Sequence, residues 1–256
     1  MVEQKPQTTL TSDLYREEYR PSFVDKWDDL IDWERRAEGE NNFFGRLLRE
    51  QGCRRVLDAA TGTGYHAVML SRDGFDVVAA DGAAEMIRKT EENAREWGAE
   101  FPTVVADWRE LSKRVEGEFD AVLCLGNAFT HLFDEEDRQL TLAEFRRVLK
   151  PGGLLMIDQR NYDMFLDHGF KTKHSYYYCG EEVSARPTAI DPEVVEFEYS
   201  FPDGEKYHLT MHPIRAGRLT DLLEDAGFGE ITSYGDFELD YDPADADFIV
   251  HVAKAV

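Results

Sequence analysis

A glycine-containing turn between a short strand and a helix constrains this fold more than any other feature of the sequence. Residues 55–60 suit a short buried strand, Thr61-Gly-Thr-Gly64 forms a tight turn, and 65–73 has the pattern of a helix. The two glycines of the turn allow the backbone to bend sharply and a ligand to approach it closely. This order of elements predicts the first unit of a parallel α/β sheet that binds a ligand at one edge.

Strands and helices alternate along the first 160 residues. Further strands are predicted at 75–80, 103–106, 119–124 and 154–158, and helices at 83–97 and 134–149. Such alternation forms parallel βαβ units, so we expect a doubly wound, Rossmann-like α/β sheet with helices on both faces. Residues 12–50 have mostly helical patterns, and we expect 1–50 to form a helical cap over the ligand.

The alternation breaks at residue 160. Strands are predicted at 175–179, 194–201 and 206–212, and Pro202-Asp-Gly204 predicts a hairpin between the last two. A helix at 216–226 and strands at 230–237 and 247–253 then return to the sheet. The segment 160–213 follows the fifth strand, at the end of the sheet where such folds bind ligands. We therefore expect a core of 51–159 and 214–256, with 160–213 as an antiparallel insertion that forms a substrate lid.

The composition limits the partners and the location that we expect. The 256-residue chain carries a formal net charge of −23 at pH 7, which disfavours nucleic acid and anionic membranes as partners. It has no apolar run of about 18 residues and no signal-peptide pattern in its first residues. Its three cysteines lack metal-ligand spacing. We expect a cytoplasmic protein without metal or disulfides, and the acidity fits either a salty cytosol or an ordinary acidic protein.

Two carboxylates beside the glycine turn restrict its ligand. Asp81 ends the second predicted strand, where it can accept hydrogen bonds from both hydroxyls of a ribose. Asp58 lies just before the turn, where a carboxylate is unfavourable for a pyrophosphate and favourable for a sulfonium and an amino group. S-adenosylmethionine therefore fits better than a dinucleotide, although Ala67 at the third position of a dinucleotide motif keeps that alternative open. A turn that only links strand to helix is the structural alternative.

Four ordered motifs carry a family resemblance. They are Val56-Leu-Asp-Ala-Ala-Thr-Gly-Thr-Gly64, Asp81, Phe119-Asp-Ala-Val and Leu149-Lys-Pro-Gly-Gly153. In this order they resemble the landmarks of the class I S-adenosylmethionine-dependent methyltransferases, and they span most of the chain. The resemblance implies S-adenosylmethionine as cofactor and S-adenosylhomocysteine as product, but it does not indicate the methyl acceptor.

Further motifs point to the acceptor. They are Leu123-Cys-Leu-Gly-Asn-Ala-Phe-Thr-His131, Ile157-Asp-Gln-Arg-Asn-Tyr-Asp163, the spacing of Tyr19, Trp27 and Arg36, and Tyr234-Gly-Asp-Phe237. Together they resemble the glycine N-methyltransferases, most closely the microbial glycine/sarcosine N-methyltransferases that begin betaine synthesis. This resemblance runs nearly end to end.

The resemblance implies ten cofactor contacts. Asp107 and Trp108 would contact the adenine, since a carboxylate can accept its amine and an indole offers a flat face. Asp81 would bind the ribose, while Arg36 would pair with the carboxylate of the methionine part, beside the backbone of Ala60. The other implied contacts are Gly62, Tyr19, Trp27, Leu125 and His131. Ordinary packing is the alternative for the aromatic residues among the ten.

Five residues are implied on the acceptor side. Arg160, directly after the fifth strand, would bind the acceptor's carboxylate with its guanidinium fork, and a surface salt bridge is the alternative. Asn127 would orient the acceptor. Tyr199 would be a further substrate or cofactor contact, and Tyr178 would lie near the methyl-transfer path. Met211 stands where several vertebrate members carry tyrosine, and its flexible thioether would accommodate the N-methyl of sarcosine.

These residues predict two successive methylations, from glycine to sarcosine and from sarcosine to N,N-dimethylglycine. One alternative is a methyltransferase for another small amine or carboxylate, such as dimethylglycine. A non-catalytic cofactor-binding regulator and a dinucleotide oxidoreductase are the other two, although no Tyr-x-x-x-Lys or comparable hydride-transfer pair stands beside the predicted site. The N-terminal arm is short beside that of tetrameric relatives, which favours a monomer.

Overall fold

The computed structural model describes residues 10–173 and 182–256. The helices are α1 (Tyr15–Glu18), α2 (Pro21–Val24), α3 (Trp27–Leu30), α4 (Trp33–Glu40), α5 (Phe43–Glu50), α6 (Tyr65–Arg72), α7 (Ala84–Glu96), α8 (Glu135–Val148), α9 (Tyr162–His168) and α10 (Ala216–Asp225). The strands are β1 (Arg55–Asp58), β2 (Asp76–Asp81), β3 (Thr103–Val105), β4 (Phe119–Cys124), β5 (Leu149–Arg160), β6 (Ser184–Ile190), β7 (Val195–Ser200), β8 (Lys206–Met211), β9 (Phe228–Gly235) and β10 (Phe248–Ala255). Two 3₁₀ helices occupy Trp108–Lys113 and Ala128–His131.

Seven strands form the central sheet, in the order β3-β2-β1-β4-β5-β10-β9. The first five strands in this order, β3, β2, β1, β4 and β5, are parallel to one another. The strand β10 runs antiparallel to both β5 and β9. The order reverses at β1 and β4, and such switch points are where open α/β sheets bind ligands. The predicted doubly wound α/β fold is confirmed.

Alternating residues of the central strands face opposite layers of helices. On β1, Leu57 packs in a core with Phe145 of α8 and Leu219 of α10. Its neighbour Val56 packs on the other face with Leu48 of α5 and Leu70 of α6. This period-two alternation, with both faces apolar, is typical of a strand buried between two helical layers.

The residues before β1 form five short helices rather than one or two long ones. Asp32 caps α4 by accepting a hydrogen bond from the backbone amide of Arg35 at 3.0 Å. Asn41 and Asn42 both have positive φ, and these two left-handed residues separate α4 from α5. The predicted helical content of this region is therefore confirmed, with more interruptions than the sequence pattern indicates.

The insertion contains a separate antiparallel sheet of β6, β7 and β8. The predicted hairpin between β7 and β8 is confirmed, while the strand predicted at 175–179 lies outside the described residues. The sequence analysis does not predict α9 or β6. The helix α9 begins at a cap, since the side-chain oxygen of Asn161 accepts from the amide of Met164. The strand pattern of β6 is interrupted by Pro187, and the pairing with β7 has a register shift beside that residue.

The N-terminal helices and the insertion pack against each other. The rings of Phe23 on α2 and Tyr207 on β8 stack with centroids 4.5 Å apart, and the Tyr207 hydroxyl donates to the carbonyl of Ser22 at 3.2 Å. The Glu18 carboxylate accepts hydrogen bonds from the amide and hydroxyl of Thr210 on β8. Cap and insertion therefore form one continuous wall. None of the helices in the described ranges has the length and hydropathy that a membrane span requires.

Candidate active site

One cleft at the carboxyl ends of β1, β2 and β4 brings the predicted cofactor residues together. All ten line it: Tyr19, Trp27, Arg36, Ala60, Gly62, Asp81, Asp107, Trp108, Leu125 and His131. They come from the cap, from the glycine turn and from the loops after β3 and β4. Their individual roles stay predictions, but their common position is the one that a single elongated ligand requires.

Asp81 forms the floor of the cleft beside the glycine turn. Its carboxylate accepts hydrogen bonds from the amides of Gly62, at 3.0 Å, and Ala83, at 2.9 Å. Burial raises the pKa of Asp81 to about 7, although these amide hydrogen bonds oppose the shift. The Gly64 φ of +97° favours glycine, and a Cβ there would lie 2.9 Å from the methyl carbon of Thr90 on α7. Glycine at this position therefore lets the turn approach α7 closely.

Asp58 provides a buried negative charge at the end of β1. Its side chain is almost wholly buried, and within the described part of the chain neither carboxylate oxygen has a hydrogen-bond partner. Burial raises its pKa. A buried carboxylate without partners is unfavourable unless a cation or donor completes it. Nearby groups act in that direction, since the charges of His66 and Arg36 oppose the rise in the pKa of Asp58, and Asp58 itself does not line the cleft.

Trp108 and Asp107 form the end of the cleft that follows β3. The indole nitrogen of Trp108 donates to the carbonyl of Ala59 at 2.6 Å, which fixes the plane of the ring. Asp107 receives hydrogen bonds from Arg109 and from Arg16 at 2.7 and 2.8 Å. Burial acts to raise the pKa of Asp107, but the hydrogen bonds and charge of Arg109 outweigh it and the pKa is lowered. Asp107 is therefore an ionised acceptor.

The opposite end contains a buried ion pair. The Nε of Arg36 donates to Glu40 at 2.8 Å, and His66 Nε2 lies 3.0 Å from the same carboxylate oxygen. Burial acts to raise the pKa of Glu40, but the charges of His66 and Arg36 lower it to about 2. The Arg36 guanidinium also lies 5.0 Å from the centroid of the Tyr65 ring. Arg36 is thus held as a cation at the edge of the cleft.

Aromatic residues of the cap cover the middle of the cleft. The ring of Tyr19 packs edge-on against Trp27, and its hydroxyl lies 3.0 Å from His131 Nε2. Burial lowers the pKa of His131 to about 4, so its imidazole is neutral at physiological pH. The three side chains form a largely apolar wall that excludes water.

Asn127 and Arg160 lie next to the cleft without lining it. Asn127 follows β4 with a φ of +64°, between the lining residues Gly126 and Ala128. Its side-chain oxygen accepts from the backbone amide of Arg160 at 3.0 Å, and its amide nitrogen donates to the Tyr162 hydroxyl at 2.8 Å. Both Asn127 and Arg160 are buried. The surface salt bridge considered for Arg160 is therefore ruled out by its burial.

The remaining predicted acceptor residues belong to the insertion. Tyr199 on β7 and Met211 on β8 are buried in the cluster of the insertion and the cap, where Met211 pairs with Val195 in the sheet. Neither lines the cleft. Tyr178 lies outside the described residues. Within 10–173 and 182–256, no three His, Cys, Asp or Glu side chains are grouped as a metal site.

Comparison with known proteins identifies the family of this chain. Residues 56–153 match the family described as "Methyltransferase domain". A glycine/sarcosine N-methyltransferase of Halorhodospira halochloris is 52% identical over 249 residues, which cover 97% of this chain and 93% of that protein. The chain belongs to the glycine/sarcosine N-methyltransferase family.

Two further proteins bear on this family membership. A glycine/sarcosine/dimethylglycine N-methyltransferase of Actinopolyspora halophila is 50% identical over 244 residues, which cover 95% of this chain and 43% of that protein. The crystal structure of an S-adenosylmethionine-dependent methyltransferase from Clostridium acetobutylicum superposes with a TM-score of 0.71 at 18% identity, over 91% of this chain and 97% of that one. The second likeness shows the class I methyltransferase fold.

S-adenosylmethionine is the cofactor of this methyltransferase family, and the residues present fit it. Arg36 lines the cleft and suits the carboxylate of the methionine part, while Asp58 is buried just before the glycine turn and does not line the cleft itself. Asp81 offers carboxylate oxygens to a ribose, and Trp108 offers an apolar face to an adenine. The predicted cofactor is thus confirmed, and the donor set of the cleft agrees with it.

Several cleft residues are missed by the sequence analysis. Tyr15 of α1 lines the cleft, and a Cβ at Gly82 would lie 2.5 Å from its hydroxyl, so that glycine allows α1 to approach. Arg109 and His66 also line the cleft. His66 has a detectable signal, because it lies in the first turn of the helix after the glycine turn. The role of Glu40 has no detectable signal in the sequence, because it depends on a tertiary contact between α4 and α6.

Proposed function

We propose that this protein transfers methyl groups from S-adenosylmethionine to the nitrogen of glycine, giving sarcosine, and then to sarcosine, giving N,N-dimethylglycine. The observation that carries the proposal is the buried Arg160 at the end of β5, beside a methyltransferase cleft. The planar guanidinium fork of Arg160 matches the carboxylate of a small amino acid in charge and geometry. The names of the relatives at about 50% identity support the same acceptors.

The chain's own residues contribute alignment and exclusion of water. When bound, S-adenosylmethionine supplies a methyl group on a sulfonium sulfur, so the chemical activation belongs to the cofactor. Arg160, next to the cleft, binds the acceptor's carboxylate, and Asn127 holds the Arg160 backbone and orients the acceptor there. Tyr19, Trp27 and His131 cover the cleft. The acceptor amine loses its proton to water before the site closes, since no dedicated base is assigned within 10–173 and 182–256 and His131 is only weakly basic.

Acceptor size is set by the apolar cluster of the insertion. Met211 lies in that cluster with Val195 and Tyr199. We propose that its flexible side chain yields to one N-methyl group, so sarcosine is accepted as well as glycine. A more methylated amine is too large for the space beside this cluster and is a poorer acceptor.

We further propose a monomeric cytoplasmic enzyme that feeds betaine synthesis. Residues 12–16 bind their own chain, since the Ser12 hydroxyl accepts from the amide of Phe133 at 3.1 Å and Arg16 pairs with Asp107. These contacts keep the segment bound within one subunit. Cys53 and Cys124 are free thiols, which fits a reducing compartment, and Cys179 lies outside the described residues. Sedimentation velocity tests the monomer.

Product analysis tests the function. The protein is incubated with S-adenosylmethionine and glycine, sarcosine or dimethylglycine in separate reactions, and the products are followed by mass spectrometry. We expect sarcosine and then dimethylglycine to accumulate from glycine. The Actinopolyspora halophila relative is also named for dimethylglycine, so the third reaction tests that alternative. Cofactor binding without product from glycine or sarcosine would overturn the proposed acceptors.

A further inference from the structure

The Arg160 side chain lies on an aromatic residue of the insertion. Its guanidinium carbon is 4.7 Å from the centroid of the Phe197 ring and 6.0 Å from that of Phe165 on α9. Phe197 is at the middle of β7 and is completely buried. A guanidinium at this distance from an aromatic face is attracted by the ring electrons, and the attraction strengthens when water is excluded.

The ring of Phe197 is itself held in place by neighbours from two elements. Its centroid lies 5.5 Å from that of Phe170 and 6.2 Å from that of Phe165, both from the segment after β5. In the sheet of the insertion, Phe197 pairs with Leu209 of β8. A ring enclosed in this way offers a fixed surface rather than a mobile one.

Among the described residues, Arg160 is therefore held both at its backbone and at its side chain. Its backbone amide is bound by Asn127, which belongs to the central sheet side of the site. Its guanidinium meets Phe197, which belongs to the insertion. A long flexible side chain loses rotamer freedom when it binds a ligand, so fixing it beforehand lowers the cost of binding.

We propose that Phe197 is a positioning residue for acceptor binding, because its ring fixes the Arg160 guanidinium to receive the acceptor's carboxylate. The inference rests on the proposed function and deepens it. It assigns to the insertion a specific task, which is to complete the carboxylate site of small amino acids. Acceptors without a carboxylate gain nothing from this contact.

Replacement of Phe197 tests the proposal against a matched control. We expect Phe197→Leu to raise the KM for glycine by about fivefold or more, since it removes a desolvated cation–π contact to the guanidinium. The Kd for S-adenosylmethionine should change by less than about twofold. The control is Phe201→Leu, which removes a buried ring of the same cluster that lies over Lys26 rather than Arg160. The control should leave both constants within about twofold.

Fluorinated phenylalanine separates the electronic effect from packing. Stepwise fluorination of the ring at position 197 keeps its shape and weakens the attraction for a cation. We expect the KM for glycine to rise with each added fluorine at 197 and to stay constant with the same series at 201. A KM that is flat across the 197 series would overturn the proposal even if Phe197→Leu is impaired.

The outcomes separate this inference from the proposed function. Turnover of glycine by the unmodified protein, with Phe197→Leu and Phe201→Leu equal in glycine KM, overturns the role of Phe197 alone. Absence of turnover with glycine and sarcosine in the unmodified protein overturns the proposed function and this inference together. A raised glycine KM at 197, graded by fluorination, supports both.

Discussion

At the residue scale, substitution of Arg160 tests acceptor binding separately from cofactor binding. Arg160→Lys keeps the charge but loses the planar fork that binds a carboxylate at two points. We expect kcat/KM for glycine to fall roughly 10- to 100-fold, because hydrogen bonds to charged groups contribute about 1.5–3 kcal/mol. The measurement is steady-state kinetics with varied glycine at saturating S-adenosylmethionine.

An arginine that is exposed and does not line the cleft provides the control for this substitution. Arg215 is exposed and pairs with Asp163 and Asp167, so Arg215→Lys should leave glycine kinetics unchanged. Calorimetric titration with S-adenosylmethionine should give similar affinities for both variants. Equal loss of activity in the two variants would show that Arg160 has no specific place in acceptor binding.

The carboxyl of Asp81 predicts a pH dependence for cofactor affinity. Burial raises the pKa of Asp81 to about 7, so below that pH the group is mostly protonated. Ribose hydroxyls donate hydrogen bonds most strongly to the ionised form, so binding below the pKa must first release a proton. We expect the Kd for S-adenosylmethionine to rise about tenfold per pH unit below 7 and to level off above it.

Two variants assign this dependence, using calorimetric titrations between about pH 5.5 and 8. Asp81→Asn should bind the cofactor more weakly, and its Kd should lose most of the variation with pH. Burial also raises the pKa of Glu18 to about 7, but Glu18 is bound to Thr210 at the boundary of cap and insertion. Glu18→Gln should therefore keep the pH dependence. The opposite pattern would assign the titration to Glu18.

At the scale of elements, a hydrogen-bond network connects the cap to the glycine turn. Asn93 on α7 donates to Asp28 on α3 at 2.8 Å and to the carbonyl of Thr63 at 3.0 Å. The Thr63 hydroxyl donates to Asp28 at 2.6 Å. Asp28 adjoins Trp27, which lines the cleft. The network therefore holds an aromatic residue of the cap over the cofactor cleft.

Removal of Asn93 should weaken the fold and the cofactor site together. We expect Asn93→Ala to lower the free energy of unfolding by about 1–3 kcal/mol, because buried partners lose their hydrogen bonds. The Kd for S-adenosylmethionine should rise several-fold, while the KM for glycine at saturating cofactor stays constant. Urea unfolding and calorimetry measure the two effects. Thr188→Val, which removes an exposed hydrogen bond to Glu196, should do neither.

The elements that the sequence predicts are those with strong local signals. The strand β4 at Phe119–Cys124 is predicted with its observed bounds, because it is a short apolar run between polar loops. The missed β6 has an exposed, proline-containing sequence, and its strand conformation depends on pairing with β7. The missed α9 has only seven residues, and its one clear signal is the capping residue Asn161. Short elements depend on their surroundings more than on their own residues.

The residues of the site divide in the same way. Those at strand ends can be predicted from the sequence, and those that depend on tertiary contacts cannot. Residues at strand ends, such as Asp81 and Arg160, are predictable because parallel strands bring their carboxyl ends to one edge. Contacts between distant segments are not, and they include Glu40 with His66 and Phe197 with Arg160. No spacing rule in the chain sets those distances, since they result from the packing of separate layers.

At the scale of the whole molecule, the acidic surface predicts stabilisation by salt. The chain has a net charge of −23, so its carboxylates repel one another when it is compact. Raising KCl from about 0.1 M to about 1 M shortens the screening length from about 10 Å to about 3 Å. The repulsion is screened, while exposed ion pairs lose little because each contributes only about 0–1 kcal/mol. We expect the melting temperature to rise with KCl.

A charge-reduced variant distinguishes repulsion from other effects of salt. Glu118, Glu238 and Asp240 are exposed and lie outside helices and strands. Replacing them together, as Glu118→Gln, Glu238→Gln and Asp240→Asn, removes three negative charges without changing shape. If repulsion limits stability, the variant melts at a higher temperature than the parent in low salt and gains less from added KCl. A melting temperature that falls with KCl in the parent would mean instead that its many surface ion pairs, taken together, outweigh the repulsion, and the acidity would then need another explanation than salt tolerance.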